Sequence, residues 1–312
     1  MDKNIIPLVF CFDRRMEMPA GVCITSLLIN ARTDTFYDIY ILHAEDCSFD
    51  TSCINALASV YENCRITYRS VGNAFNSAFE IRGITVAAYY RLLIPELIPE
   101  YDKVIYSDVD VIFRDDLQDI FEHTDVSDSY VAGVVDASCF SPDHQKYIES
   151  LSLSCDEYIY SGNLIFNSAL IRREDLVRRF VRKVSEKDYK YQDMDVLNIV
   201  CKGKVKRMPP CFCLSTEISK YAANRLKQPL YTQEELLVAQ SKGIVHYAGP
   251  KPWKQCCLNF DIWWEYYRKS IFFDAKFYYD FYHAQVNDYD RLSLWKRVKI
   301  LVRYFSKGRL CV

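Results

Sequence analysis

The sequence predicts an α/β fold: a mostly parallel sheet with helices on both faces, continued by a helical C-terminal tail. Three observations carry this. Short apolar runs of strand length recur at Ile5–Phe12, Asp38–His43, Arg65–Tyr68, Lys103–Ser107 and Tyr130–Val135. Segments of helical period stand between the first of them, at Pro19–Ala31, Asp50–Glu62 and Thr85–Leu93. The last third carries aromatic-rich and basic helical segments. A β-α-β-α rhythm implies parallel strands joined by crossover helices.

Each element has a local reason. Ile5–Phe12 is too short to cross a membrane and runs at once into Asp13, Arg14 and Arg15, so it reads as a first buried strand rather than a signal-peptide core. Pro19 suits the first turn of the helix that follows. The Thr85–Leu93 helix is expected to stop at Pro95, because proline cannot continue a helix interior. Tyr158–Asn167 is strand-rich, Glu174–Lys187 is a charged helix, and Tyr191–Val200 begins another. A core domain is expected over 1–258, with an aromatic and basic helical region over 259–312.

Composition narrows the function. With 312 residues, 50% hydrophobic, the chain can bury a sizeable core. A net charge of −2 is unlike a polyanion binder, so no nucleic-acid partner is expected. Thirteen cysteines without zinc-site spacing read as buried free thiols of a reducing compartment. The expected location is cytoplasmic, peripheral on the inner face of the membrane.

Chemistry is concentrated in three stretches. In SDVDV, Asp108 and Asp110 follow a buried run and lie two apart. On a strand end they project to one side, and two carboxylates held together call for a cation between them. In HYAGPKPW, His246 follows a strand-like run, Gly249 and Pro250 turn the chain, and Lys251 returns near the imidazole. Neutral histidine ligates metals and lysine neutralises phosphate oxygens. In YQDMDVLN, Asp193 and Asp195 cannot share a helix face. One is available to cap the helix and the other to face a cleft.

Together with Tyr89–Leu92 (YYRL), these motifs stand in the order found in family 8 of the retaining glycosyltransferases, and the resemblance runs from about Ile6 to Trp253. It implies a GT-A fold, a Rossmann-like single domain with a mixed sheet. It also implies a UDP-hexose donor carrying galactose or glucose, with Mn²⁺ as cofactor and Mg²⁺ as the alternative. Residue by residue, Asp108, Asp110 and His246 resemble the metal ligands, and Lys251 the lysine on the diphosphate. Arg91 resembles the arginine at the donor sugar, and Asp193 the carboxylate on sugar hydroxyls. Asp195 is placed as an electrostatic stabiliser. Ser161 and Gly162 match the donor-side turn, Asp13 a uracil- or ribose-contacting position, Gly249 the turn before the lysine, and Asp136 an acceptor-side position. The chain departs from the family at Arg14 and Arg15, where asparagine is common after the first strand. It departs again at Tyr160, where asparagine is usual, and at Met194, where glutamine is usual.

The expected function is therefore retaining transfer of a hexose to a glycan or glycolipid acceptor, as in lipopolysaccharide or other cell-surface glycan synthesis. A non-catalytic nucleotide- or glycan-binding homologue is the alternative. A nucleotidyltransferase would need a glycine-rich loop after the first strand, and CFDRRMEMPAG offers only Gly21. A structural Ca²⁺ site at Asp108 and Asp110 would give metal-dependent stability without a UDP effect. The tail Arg291–Leu310 holds seven Lys/Arg and no acid, with Trp295, Val298, Val302 and Phe305 at helical spacing. That pattern suits an interfacial helix on an anionic membrane.

Overall fold

The computed structural model describes residues 3–45, 51–75, 78–81, 83–224 and 230–306, the side chains of 140, 223–224, 289 and 303–306 excepted. Expected Asp50 and the end of the tail lie outside the described residues, as does the side chain of Phe305.

Seven strands form the main sheet: β1 (Asn4–Cys11), β2 (Thr35–His43), β3 (Cys64–Ser70), β4 (Lys103–Ser107), β6 (Val131–Val135), β7 (Ile159–Asn167) and β8 (Val205–Arg207), in the order β3-β2-β1-β4-β7-β6-β8. A second sheet joins β5 (Val111–Phe113), β10 (Ile244–His246) and β9 (Leu214–Ser215), in the order β5-β10-β9. β1 pairs in parallel with β2 and β4, while β7 runs antiparallel to both β4 and β6. β1 is buried from Ile6 onward, as expected of a strand covered on both faces, whose sequence reads as a continuous apolar run. Pro7 has no N–H to give a neighbour; pairing with β4 begins one residue later, at Leu8.

The sheet is therefore mixed and mostly parallel, as expected. The antiparallel strand β7 lies where periodicity gave no direction, since strand alternation does not encode orientation. A correction concerns Thr85–Leu93. Val86–Leu93 is a 3₁₀ helix, and the chain continues into a short α-helix, Ile94–Leu97, with Pro95 in its first turn. Proline is tolerated there because first-turn N–H groups have no intrahelical acceptor. It starts a helical turn instead of ending one.

Helices cover the sheet, and one apolar core runs through both sheets. The helix Phe260–Lys269 belongs to that core: Trp263 and Trp264 are wholly buried, and Trp264 packs on Phe277 and Phe281 of the next helix, Ala275–Asp290. The Tyr266 hydroxyl accepts from Asn30 Nδ2 at 2.7 Å, tying this region to the end of the helix Glu17–Ile29. The last helix, Leu294–Ser306, presents Leu294, Trp295, Leu301 and Val302 to solvent, Trp295 at 82% exposure. No helix among the described residues is long and apolar enough to cross a membrane.

The topology places the functional region. Strand order reverses between β1, which leads outward to β2 and β3, and β4 on its other side. In open α/β sheets the crevice at such a switch, beyond the carboxyl ends of the strands, is where ligands bind. Asp13 follows β1 and Asp108 follows β4.

Candidate active site

The acidic pair lies where the chain leaves the main sheet at the end of β4 and enters the small sheet at β5. There β10 pairs antiparallel with β5, setting His246 opposite Val111, the residue after Asp110. This register delivers the imidazole to the carboxylates. His246 Nε2 lies 3.1 Å from Asp110 Oδ1 and 3.6 Å from Asp108 Oδ2. One ligand atom from each of the three residues falls within a 4.8 Å span. The backbone fixes both acids: Asp108 N–H donates to the Gly162 carbonyl at 2.7 Å, and Tyr247 N–H donates to the Asp110 carbonyl at 2.9 Å.

The donor set fits a divalent cation. His246 Nε2 is buried and faces both acids, nearest Asp110 Oδ1. Its other nitrogen, Nδ1, faces Cys213 Sγ at 3.5 Å. Two carboxylates and an imidazole nitrogen turned to them suit Mn²⁺ or Mg²⁺, and a histidine held through its second nitrogen is the usual arrangement at a metal. Burial alone would lower the His246 pKa, but Asp110 and then Cys213 push it up to about 10. The carboxylates thus draw positive charge to the point a cation would fill.

Lys251 pairs with Asp110 and donates to the Tyr247 carbonyl at 2.7 Å. Gly249 lies in the exposed bend before it, and open space surrounds the position of a Cβ. Gly162 is the opposite case. A Cβ there would stand 2.2 Å from His246 Cε1 and 2.6 Å from Tyr160 Cε1, so glycine is what lets the imidazole approach the turn. Tyr160 packs edge-on against His246, centroids 5.1 Å apart.

Arg91 joins the two halves of the site. It is 5% exposed and held by the 3₁₀ helix. Its Nη2 lies 3.0 Å from Asp108 Oδ1 and its Nε 3.2 Å from Asp193 Oδ2, while Nη1 donates to the Ser161 carbonyl at 2.6 Å. The guanidinium also lies over the Tyr106 ring at 4.4 Å. In this structure Arg91 holds carboxylates and the donor-side turn in register. Burial pushes the Asp193 pKa up to about 6, with Arg91 opposing. Asp193 Oδ2 has no hydrogen-bond donor.

The two aspartates of YQDMDVLN part company in the helix Gln192–Val200. Asp193 turns to Arg91. Asp195, wholly buried, accepts from the Tyr147 and Tyr158 hydroxyls and from Tyr191 N–H at 2.8 Å. It is the one that ties down the helix start. Met194 packs with Cys139, Ile148, Leu153 and Tyr158 in a small apolar cluster. Asp13 caps the turn Arg14–Met16, ion-pairs with Arg15 at 2.8 Å and accepts from Thr85 Oγ1 at 3.2 Å. Asp136 caps the turn after β6 through Ser138 N–H.

Sequence reasoning missed Tyr106, whose hydroxyl donates to Asp108 Oδ1, and Cys213 behind His246. Tyr106 was recoverable, because it precedes Asp108 by two on a strand and so shares its side. Cys213 carried no local signal.

Comparison with known proteins shows the family and the fold. The profile of "Glycosyl transferase family 8" matches residues 7–257. Lipopolysaccharide 1,2-glucosyltransferase of Escherichia coli is 24% identical over 260 residues, 80% of this chain and 73% of its own length. General stress protein A of Bacillus subtilis is 27% identical over 261 residues, 80% and 88%. The galactosyltransferase LgtC, solved in complex with donor and acceptor sugar analogs, superposes with a TM-score of 0.74 at 25% identity, covering 87% of this chain and 98% of LgtC. The bifunctional glycosyltransferase WbbM shares the fold, with a TM-score of 0.72 at 24% identity, and this chain spans about half of it (52%). The chain belongs to glycosyl transferase family 8 and has the GT-A fold.

Proposed function

We propose that the protein transfers a hexose, galactose or glucose, from a UDP-sugar to a glycan or glycolipid hydroxyl with retention of anomeric configuration. The observation that carries this is the convergence of Asp108, Asp110 and His246, whose Nε2 faces both carboxylates, next to Lys251 at a topological switch point. The lipopolysaccharide glucosyltransferase relative and the LgtC fold support a hexose donor and a cell-surface glycan acceptor.

Asp108, Asp110 and His246 would hold Mn²⁺, with Mg²⁺ as the alternative; when bound, the ion supplies charge stabilisation for the departing diphosphate. Lys251 adds a second positive centre at the same side once its pairing with Asp110 is exchanged for phosphate oxygens. Arg91 keeps Asp108 and Asp193 at fixed separation. Asp193 Oδ2, which lacks a donor, accepts a sugar hydroxyl. Ser161, Gly162, Gly249 and Asp13 line the donor side. Asp195 contributes by anchoring the helix start and by its negative charge beneath it.

Met194 offers no polar group at the anomeric carbon, and its side chain is packed in an apolar cluster. The acceptor hydroxyl therefore attacks the face the diphosphate leaves, and a diphosphate oxygen takes its proton. The catalytic work is assigned to residues 1–258. Within 259–312 the helix Phe260–Lys269 packs on the core, and the last helix is assigned to surface attachment, its exposed Trp295, Leu301 and Val302 meeting an anionic leaflet from the cytoplasmic side.

Thermal unfolding with UDP, UDP-glucose, UDP-galactose and UDP-N-acetylglucosamine, with and without Mn²⁺, tests the reading. A ligand at about 100 times its dissociation constant adds about 2.7 kcal/mol. The expected result is a Mn²⁺-dependent shift with UDP, largest for a UDP-hexose and absent in Asp108→Asn. Full Mn²⁺-dependent stabilisation and transfer in Asp108→Asn would overturn the metal assignment.

A further inference from the structure

We propose that Gln192 is a positioning residue for the donor sugar: its side-chain amide locks the start of the helix Gln192–Val200, and with it Asp193, to the segment that carries Arg91. This rests on the reading above that Asp193 accepts a hydroxyl of the bound hexose. Gln192 immediately precedes that carboxylate in YQDMDVLN.

Two costs mark this residue. Its φ is +44°, in the left-handed region that a Cβ disfavours. The other non-glycine residues found there among the described ones are Ser152, Asp175 and Asn259, whose short polar side chains tolerate it better. Gln192 is also 1% exposed, and its Oε1 is buried without a hydrogen-bond partner. A strained backbone and an orphaned oxygen both lower stability, and such costs gather where a site needs a fixed geometry.

The other end of the amide shows what is held. Nε2 donates to the Phe79 carbonyl at 2.8 Å, and the Tyr89 hydroxyl donates to the same oxygen at 3.1 Å. A carbonyl only accepts, so the amide presents its NH₂ there. Burial and then Asp193 push the Tyr89 pKa up to about 12, while a hydrogen bond from Gln192 opposes the rise. Tyr89 lies two residues before Arg91 in Val86–Leu93, and both are buried. The direct contact between the two elements is undirected. Arg91 Nε lies 3.2 Å from Asp193 Oδ2, but its hydrogen goes to the Ala88 carbonyl at 2.8 Å. Charge sets the separation of that pair and leaves the angle of the carboxylate open. The Ser161 hydroxyl steadies Asp193 from the donor-side turn, and Asp195 ties the helix start to Tyr147 and Tyr158. Gln192 supplies the link to the Arg91 segment.

The test is calorimetric titration of the full chain, in Mn²⁺, with UDP and with whichever of UDP-glucose and UDP-galactose binds more tightly, together with melting points in chelator. Gln192→Gly removes both costs along with the amide. It is expected to melt at or above wild type and to keep wild-type affinity for UDP. It should bind the UDP-hexose about tenfold more weakly, the scale of one pairwise coupling. Gln192→Asn suits the same φ but is one carbon short of Phe79, and should show the same split. In an Asp193→Ala background, Gln192→Gly should weaken the UDP-hexose no further, because it acts through that carboxylate. Melting points well below wild type in both variants would make Gln192 a structural residue only and overturn the proposal. UDP-hexose binding unchanged in Gln192→Gly, or weakened by the same factor whether or not Asp193 is present, also overturns it. Wild-type protein that binds no UDP overturns the donor reading, and this inference with it.

Discussion

Replacing Gly162 by alanine adds one carbon at the point where the site is tightest. The new Cβ would stand 2.2 Å from His246 Cε1 and 2.8 Å from its Nδ1, about 1.2 Å short of ordinary contact. The imidazole has little room to retreat. Tyr160 meets it edge-on, Cys213 lies behind Nδ1, and β10 is paired on both sides. Over-packing of this kind costs about 1–3 kcal/mol of stability. The larger effect falls on the metal, because ligand distances are held to about 0.2 Å and the ring must shift several times that. If His246 is lost as a ligand, a roughly 100-fold rise in the Mn²⁺ dissociation constant follows, worth about 2.7 kcal/mol. Thermal unfolding across a Mn²⁺ titration reads both terms: a lower melting point without metal, and a metal-induced shift that needs far more Mn²⁺. Gly162→Ala with wild-type Mn²⁺ affinity would show that His246 is not held against the turn as described, or does not bind the ion.

Other consequences follow from the same geometry. Asp193 has a folded-state pKa of about 6, raised by burial. A raised carboxyl pKa gives stability that is fully present below the unfolded value and lost as pH rises through 6. In chelator, Asp193→Asn should gain on wild type by about 2 kcal/mol between pH 4 and 7; a gap independent of pH in urea unfolding would refute the assignment. Asp195→Ala leaves the buried Tyr158 hydroxyl, the half-buried Tyr147 hydroxyl and the Tyr191 N–H without their acceptor. A loss of about 4 kcal/mol is expected from such orphaned donors, and Asp195→Asn should lose less because one acceptor oxygen remains. Wild-type urea stability in Asp195→Ala would contradict the anchoring role. Deleting 291–312 should release the protein from anionic vesicles in a flotation assay while leaving its melting point within a few degrees; unchanged flotation would remove the tail from membrane contact.

Local signals in the sequence were enough for the longer strands, for the acidic pair after β4 and for the turn around Gly249, while the short strands β5, β8 and β9 went unread. Buried strands need apolar runs, and a charged pair at a strand end stands out against them. The motifs SDVDV, YQDMDVLN and HYAGPKPW were legible because each is a short run whose spacing survives without tertiary context. What folding added was relations between distant residues. The antiparallel pairing of β10 with β5 sets His246 opposite Val111, and nothing in either segment's periodicity specifies that register. Arg91 was readable as a donor-side arginine; that its guanidinium is occupied by Asp108, Asp193 and Ser161 depends on a 3₁₀ helix that Pro95 was expected to end. Helical spacing put Asp193 and Asp195 on different faces, but only packing against Tyr147 and Tyr158 decided which of them is buried as an anchor and which turns to the site. Periodicity and spacing act within a few residues, so they determine elements and candidate groups. The site itself is made by long-range pairing and burial, which fix distance, protonation and partner at once.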